Sequence, residues 1–226
     1  MRNIAAVCLI LAGFGAAAAP TRAEITWEIS RNGIMLAEAV DVLESDGKSY
    51  TIISQWKGRG ALGLLGDARA ASRGNITPGG LRPDEFEDVR TGRSPARARF
   101  DWDANLLTQQ YKGPAQSVPM PPHPYDRLTQ LYGFAFGMPE RGPLPMNVAD
   151  GRGVSTYDFQ IAGRETLKTL AGEFETLKVV KRKENPEDRA TEIWLAVKRH
   201  HLPVRVLVVD KEGTRIEQVV TRFSAR

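Results

Sequence analysis

The sequence has one cysteine and three histidines among its 226 residues. Cys8 lies inside an N-terminal segment that we expect to be removed, so the mature chain would hold no thiol. This excludes disulfides, thiolate nucleophiles and cysteine metal sites. Beyond the first two dozen residues no apolar run approaches the roughly 18 residues that a membrane-spanning helix needs. We therefore predict no transmembrane segment in the mature chain.

Charge of either sign is not in large excess. The formal net charge is +4, and removal of residues 1–23 lowers it to +2, because Arg2 and Arg22 leave with no acidic residue. Basic residues cluster at 90–99 and 181–183, where they could face anionic lipid or polysaccharide. Acidic residues at 84–88 and 184–188 can neutralise both clusters, which favours a solvated face. Nucleic acid is not predicted as a partner.

The N-terminus has the pattern of a secretory signal peptide. Arg2 precedes an apolar stretch at residues 4–19, and small residues follow. We place the signal peptide at residues 1–23, with cleavage within residues 16–19 as the alternative. A retained anchor helix is the competing interpretation. Export without disulfides points to a bacterial periplasm as much as to the medium outside the cell.

Short runs rich in β-branched and aromatic residues recur from Glu24 onward at the spacing typical of antiparallel sheets. Asn32-Gly33 predicts a type I′ hairpin turn. About seven strands precede residue 113, and the clearest later ones are at 193–197, 204–209 and 216–223. We predict an all-β, mainly antiparallel fold, as a curved sheet or partly closed β-barrel. A two-sheet sandwich is the alternative.

Residues 113–124 contain five prolines, which exclude a helix and a central strand. Leu128, Leu131 and Tyr132 recur at helical spacing, which predicts a helix over residues 125–136 that Gly137 and Pro139 end. We expect residues 113–146 to be an insertion that covers an opening of a single all-β domain, residues 24–226. The alternative makes residues 113–124 a linker between two small β domains.

Soft apolar side chains are concentrated around this helix, and methionines adapt to irregular ligands. We interpret the segment as a lid that closes on a lipid or another apolar group. The competing interpretation is a helix that fills the core. The predicted ligand-binding residues are Met120, Tyr125, Tyr132, Phe134, Phe136 and Met138.

Residues 58–63 match the G-x-G-x-x-G pattern of dinucleotide-binding sites. That pattern cradles a pyrophosphate only at the start of a helix in a βαβ unit, and here it leads into another β region. We therefore predict no cofactor.

Neither the histidines nor the paired acidic residues establish a metal site or a catalytic site. Adjacent His200 and His201 reach one metal only from an irregular loop, and His123 is distant in sequence, so no metal site is predicted. Asp101 and Asp103 alternate about Trp102, which would place both carboxylates on one face of a strand. A carboxylate-dependent envelope hydrolase is therefore kept as an alternative function, but no residue is assigned as catalytic.

Several short motifs occur in a fixed order. They are Tyr125-Asp126-Arg127-Leu128-Thr129-Gln130-Leu131-Tyr132, Thr169-Leu170-Ala171-Gly172-Glu173-Phe174, Ile193-Trp194-Leu195-Ala196 and Leu202-Pro203-Val204-Arg205, with Phe100-Asp101-Trp102 before them. Together they resemble the exported domain-of-unknown-function family 3108 of Gram-negative bacteria. The resemblance implies a periplasmic, curved or barrel-like all-β protein with no catalytic residues to carry over, and a likeness to lipoprotein carriers rests on fold analogy alone.

The predicted function is that of a non-catalytic periplasmic binding or envelope-assembly protein whose curved sheet holds a lipid or other apolar ligand. A structural partner of an envelope complex, docking by an exposed strand edge, is a further alternative.

Overall fold

The computed structural model describes residues 19–59, 66–138, 142–183, 185 and 187–226. Within these residues fifteen strands form one sheet: β1 (Arg22–Arg31), β2 (Ile34–Ser45), β3 (Ser49–Gly58), β4 (Asp67–Thr77), β5 (Gly80–Arg90), β6 (Ala96–Asp101), β7 (Leu106–Gln110), β8 (Gln116–Pro119), β9 (Pro124–Asp126), β10 (Leu144–Ala149), β11 (Val154–Thr169), β12 (Gly172–Lys181), β13 (Ala190–Ala196), β14 (Leu202–Val209) and β15 (Arg215–Ala225). One turn of helix, α1 (Thr129–Tyr132), is followed by a 3₁₀ turn, Gly133–Ala135. None of the helices in these residues is long and apolar enough to cross a membrane.

The sheet consists of two meanders that meet at β1. From β1 the order runs outward through β2 to β8 on one side and through β15 back to β9 on the other. All pairs are antiparallel except β9 with β10. The edge strands β8 and β9 do not pair with each other, so the sheet is not closed into a barrel. The predicted all-β, mainly antiparallel fold is confirmed, as a curved open sheet.

Curvature of the sheet brings distant strands together. Gly151, in the turn after β10, lies against β6, although β6 and β10 are eleven places apart in the strand order. Its φ is +81°, and a Cβ at this position would lie 2.4 Å from the backbone N of Arg97. Only glycine fits such a close approach in the left-handed region. The two halves of the sheet therefore face each other across the core.

The core lies between these halves and contains two apolar clusters. Trp27, Leu43 and Ile52 are fully buried in the first cluster, which comes mainly from β1 to β7 and β14. Phe159 and Leu195 are buried in the second, which comes from β10 to β14. The α1 region contributes to both. The inner face of each half therefore buries its apolar side chains against the segment between them.

Local turn chemistry positions the strands as the sequence indicates. Asn32 and Gly33 have φ values of 49° and 80° and join β1 to β2. In the described part of the chain, seven strands precede residue 113, and residues 77–80 and 102–105 connect β4 to β5 and β6 to β7. The proline-rich residues 113–124 contribute only the short edge strand β8 and the first residue of β9, as prolines without ladder donors require.

Two predicted elements differ from the structure. The helix predicted over residues 125–136 is reduced to α1 and the 3₁₀ turn, because Tyr125 and Asp126 pair with β10 as β9. The sequence pattern also predicts two strands at 157–162 and 166–170, but the structure has one strand there, β11, with a bulge before Gly163. Most of the glycine motif at 58–63 lies outside the described residues.

The first described residues belong to the sheet. Ala23 is 1% exposed, and the backbone N–H of Thr21 donates to the carbonyl of Arg226 over 2.8 Å. The N–H of Ser45 donates to Thr21, and the hydroxyl of Ser45 donates to the carbonyl of Pro20. Cleavage after Ala23 would remove these contacts, whereas cleavage within residues 16–19 would keep them.

We expect a chain that begins at Glu24 to be less stable than one that begins at Ala19. Residues 20–22 make six hydrogen bonds that involve a backbone group, and their loss predicts a decrease of at least roughly 3 kcal/mol in the free energy of unfolding. Urea unfolding of the two chains, followed by tryptophan fluorescence, measures the difference. Equal stability would support cleavage after Ala23.

Candidate functional site

Asp126 fixes the start of the segment that lies between the two halves of the sheet. Its buried carboxylate accepts the backbone N–H groups of Leu128 and Thr129 at 2.8 and 2.9 Å. The hydroxyl of Ser72, on β4, donates to the other carboxylate oxygen over 2.6 Å and lies 3.1 Å from the hydroxyl of Tyr50. Burial raises the pKa of Asp126 to about 6, although these hydrogen bonds act in the opposite direction. The segment is thereby joined to β3 and β4.

Asp41, on β2, fixes the other end of the segment. The hydroxyl of Tyr132 donates to its Oδ2 over 2.6 Å, and the indole of Trp27 donates to the same oxygen over 2.9 Å. The Oδ1 atom is buried without a hydrogen bond among the described residues. Burial raises the pKa of Asp41, while Ser54, Tyr132 and Trp27 oppose the rise. This carboxylate joins α1 to the central strands.

Asp88, on β5, joins the segment to the facing half of the sheet. Arg90 binds its carboxylate through Nε and Nη2, and Arg152 donates from the turn after β10 over 3.0 Å. Arg127 lies 4.0 Å away. Burial alone would raise the pKa of Asp88, but the hydrogen bonds and charges of these arginines hold it below its usual value. The cluster therefore holds the curved sheet together through charge.

A cavity of about 230 Å³ lies where these groups meet. Its walls include Asp41, Ser54, Trp56, Arg127 and Leu131. The volume is below the range of roughly 300–1,000 Å³ that is usual for sites of drug-sized ligands. None of the six predicted ligand-binding residues lines it.

The six predicted residues lie in or against the two apolar clusters. Tyr132 is buried in the first cluster and Phe134 in the second. The remaining four are partly buried: Met120 and Phe136 pack on the first cluster, Tyr125 and Met138 on the second. A ligand would contact them together only if the segment left the sheet. Their role in ligand binding stays a prediction.

The outer face of β3 to β7 carries a larger, open groove of about 640 Å³. The strand register places its side chains in two rows across the sheet. One row is Thr51, Arg73, Glu85, Arg99 and Thr108, and the other is Ile53, Ala71, Glu87, Arg97 and Gln110. Arg69 lies beside Ala71 on β4, and both line the groove.

Charge in the groove is only partly paired. Arg73 contacts Glu85 over 2.5 Å, and Arg97 contacts Glu87 over 2.7 Å. Arg69 and Arg99 are exposed and have no ion pair among the described residues. The four arginines and two glutamates leave two positive charges beside the apolar side chains of Ile53 and Ala71. Such a surface can bind an anionic group next to an apolar chain.

Sequence reasoning missed this groove because its residues come from five strands and become neighbours only through register. The one signal was the basic cluster at 90–99, which the structure divides. Arg97 and Arg99 point into the groove, whereas Arg90 binds Asp88 on the inner side. Alternate arginines on both β4 and β6 are the pattern that could have indicated it.

Other sequence candidates lie at turns. Strand β6 ends at Asp101, so the alternation expected to carry Asp103 on the same face does not extend that far. The carboxylate of Asp101 accepts the backbone N–H of Ala104 and shapes this turn. His200 and His201 have positive φ values in the turn between β13 and β14, and His123 precedes β9. Within the described ranges no three His, Cys, Asp or Glu residues are grouped as a metal site would need.

Comparisons with known proteins agree with the architecture. The family model described as "Protein of unknown function (DUF3108)" matches residues 22–220. A crystal structure of a β-barrel-like protein of domain of unknown function DUF1849 from Brucella abortus superposes with a TM-score of 0.60 at 6% identity, covering 92% of this chain and 99% of that chain. This similarity shows the fold alone.

Two further crystal structures are much less similar. A Bacteroides fragilis protein assigned as exported, with a YmcC-like fold, gives a TM-score of 0.38 at 14% identity, covering 89% of this chain and 95% of its own. A Vibrio parahaemolyticus domain assigned to outer membrane lipoprotein sorting gives 0.25 at 9% identity, covering 91% and 85%. These scores are too low to support an inference. No curated protein matches the sequence significantly.

We expect Tyr132→Phe to destabilise the protein by roughly 1–3 kcal/mol, because Oδ2 of buried Asp41 would lose its shortest hydrogen bond. The measurement is the free energy of unfolding in urea. Tyr157→Phe is the matched control, since the Tyr157 hydroxyl makes no hydrogen bond among the described residues and its ring stacks on Phe159. Equal effects of the two substitutions would contradict the role assigned to Tyr132.

Asp126 predicts a pH dependence of stability. Its pKa in the folded protein is about 6, above the usual value of 3.8. The stabilisation from its retained proton is fully present below pH ~4 and is lost as the pH rises to ~6, on the order of 3 kcal/mol. We expect Asp126→Asn to remove this decrease of stability with rising pH. The measurement is the free energy of unfolding in urea between pH 4 and 6.5. If it changes with pH equally in the wild type and in Asp126→Asn, Asp126 is not the group responsible.

Proposed function

We propose that this chain, which belongs to the DUF3108 family of proteins of unknown function, is a non-catalytic periplasmic binding protein that holds a lipid or similar amphiphile on its curved sheet. The N-terminal secretory pattern and the resemblance to an exported family support the periplasmic location. The binding role follows from the groove on β3 to β7. Both parts are open to direct measurement.

The groove is the observation that carries the proposal. Its volume of about 640 Å³ lies within the range of roughly 300–1,000 Å³ that is usual for small-molecule sites. Ile53 and Ala71 supply apolar surface, and Arg69 and Arg99 supply guanidinium groups that make no ion pair among the described residues. The core residues are already packed, so this outer face offers a site without any rearrangement of the fold.

The six residues between Met120 and Met138 are the alternative location for the ligand. Binding there would require the segment to leave the sheet and would break the hydrogen bonds at Asp41 and Asp126. Such opening would expose several buried aromatic side chains, which costs free energy unless the ligand replaces their contacts. We therefore place the ligand in the groove first.

The test is native mass spectrometry of the mature protein purified from a bacterial periplasm. We expect excess mass that solvent extraction removes and identifies as an amphiphile. Ala71→Trp should abolish this mass, because the indole would fill the groove. Leu170→Trp is the control, since Leu170 is 82% exposed at the turn between β11 and β12, away from the groove.

The outcomes separate the two locations. Loss of the excess mass in Ala71→Trp but not in Leu170→Trp supports the groove. If Ala71→Trp retains the excess mass and Phe136→Ser loses it, the ligand binds at the segment between Met120 and Met138 and not in the groove. The proposal is overturned when the wild-type protein carries no amphiphile and binds neither dodecanol nor dodecyl phosphate in a calorimetric titration.

A further inference from the structure

We propose that the groove selects an amphiphile with an anionic head group, which Arg99 binds and Arg69 helps to attract. This inference rests on the proposed function and adds the chemical class of the ligand. It concerns only the outer face of β3 to β7. No change in the core is required.

The first argument is the balance between positive and negative side chains in the groove. Two of the four groove arginines are used by Glu85 and Glu87, at 2.5 and 2.7 Å. Arg69 and Arg99 are exposed and make no ion pair among the described residues, although Glu85, which binds Arg73, lies opposite Arg99 in register. An exposed arginine gains little from a single surface ion pair, but it binds a phosphate or carboxylate through two parallel hydrogen bonds. The groove therefore keeps two guanidinium groups available for a ligand.

The neighbours of Arg99 give the second argument. Arg99 is paired in register with Thr108 on β7, and the Thr108 hydroxyl lies 2.8 Å from the hydroxyl of Ser117 on β8. One of the two hydroxyl protons is used between them, so the other can donate to an oxygen of the head group. A guanidinium beside a hydroxyl pair suits a multi-oxygen anion such as a phosphate monoester.

The position of the apolar surface gives the third argument. Ile53 and Ala71 lie on β3 and β4, whereas Arg99 lies on β6. From β6 to β3 is three strand spacings, or about 14 Å across the sheet. A head group at Arg99 would thus direct an alkyl chain toward Ile53, past the paired side chains of β5. Arg69, on the same strand as Ala71, extends the positive charge along this path.

The experiment compares dodecyl phosphate, dodecanol and inorganic phosphate in calorimetric titrations of the delipidated mature protein, below the aggregation concentration of each amphiphile. We expect dodecyl phosphate to bind at least about tenfold more tightly than either other probe. Arg99→Gln should weaken dodecyl phosphate binding about tenfold or more and leave dodecanol unchanged, since hydrogen bonds to a charged group of this kind are worth that factor.

Matched variants separate charge from geometry. Arg99→Lys keeps the charge but not the planar fork, so an intermediate loss is expected. Arg69→Gln should weaken binding only a few-fold, mainly at low salt. Arg222→Gln, an exposed arginine on β15 outside the groove, should change nothing. Circular dichroism and urea unfolding verify that each variant is folded.

Each outcome has a distinct meaning. Equal binding of dodecyl phosphate and dodecanol, unaffected by Arg99→Gln, overturns this inference while the proposed function stands. If inorganic phosphate binds as tightly as dodecyl phosphate, the alkyl chain contributes nothing. That result overturns the inference that the ligand is an amphiphile and leaves a site for a simple anion. Failure of all three probes overturns this inference, and when the purified protein also carries no amphiphile it overturns the proposed function itself. An effect of Arg222→Gln equal to that of Arg99→Gln would show a nonspecific response to net charge and also overturn the inference.

Discussion

The fold depends on two buried carboxylates that hold one short segment between the halves of an open sheet. Asp126 binds the start of the segment to β4 through Ser72, and Asp41 binds Tyr132 to β1 and β2. An isolated helix of one turn is not stable in water, so these contacts and the apolar packing must fix it. Burial of a carboxylate is costly unless hydrogen bonds compensate. The position of the segment is accordingly specific, because in this placement the carboxylate of Asp126 and Oδ2 of Asp41 receive their hydrogen bonds.

Curvature of the sheet depends on a second set of charges and on one glycine. Asp88 on β5 binds Arg152 beyond β10, and Gly151 allows the turn to lie against β6. Breaking a buried pair by removing one partner is more harmful than never having had it, because the remaining charge is left in a poor environment. The inner face is therefore occupied by packing and by paired charge. The outer face carries Arg69 and Arg99, which make no ion pair among the described residues.

Much of the fold could be predicted from local sequence chemistry, and much of the site could not. Asn32-Gly33 and the prolines of residues 113–124 act within a few residues, so their patterns correctly indicated the hairpin and correctly excluded a helix and a central strand from residues 113–124. The helix was predicted too long because pairing of Tyr125 and Asp126 with β10 overrides helical spacing, and pairing over such a distance has no local signal. The groove could not be predicted for the same reason, since Arg73, Glu85 and Arg99 become neighbours only after three strands adopt their register.

Strands β4 and β5 contribute one face to the core and the opposite face to the groove. Successive residues on a strand point to opposite faces, so Ser72 holds Asp126 inside while Ala71 and Arg73 line the groove outside. On β5, Asp88 binds its arginines inside while Glu87 faces the groove. Strands fixed from one side present the side chains of the other side in a defined arrangement, and such preorganisation reduces the entropic cost of binding. The buried acids thus do more than stabilise the segment, because they also hold the strands that shape the outer site.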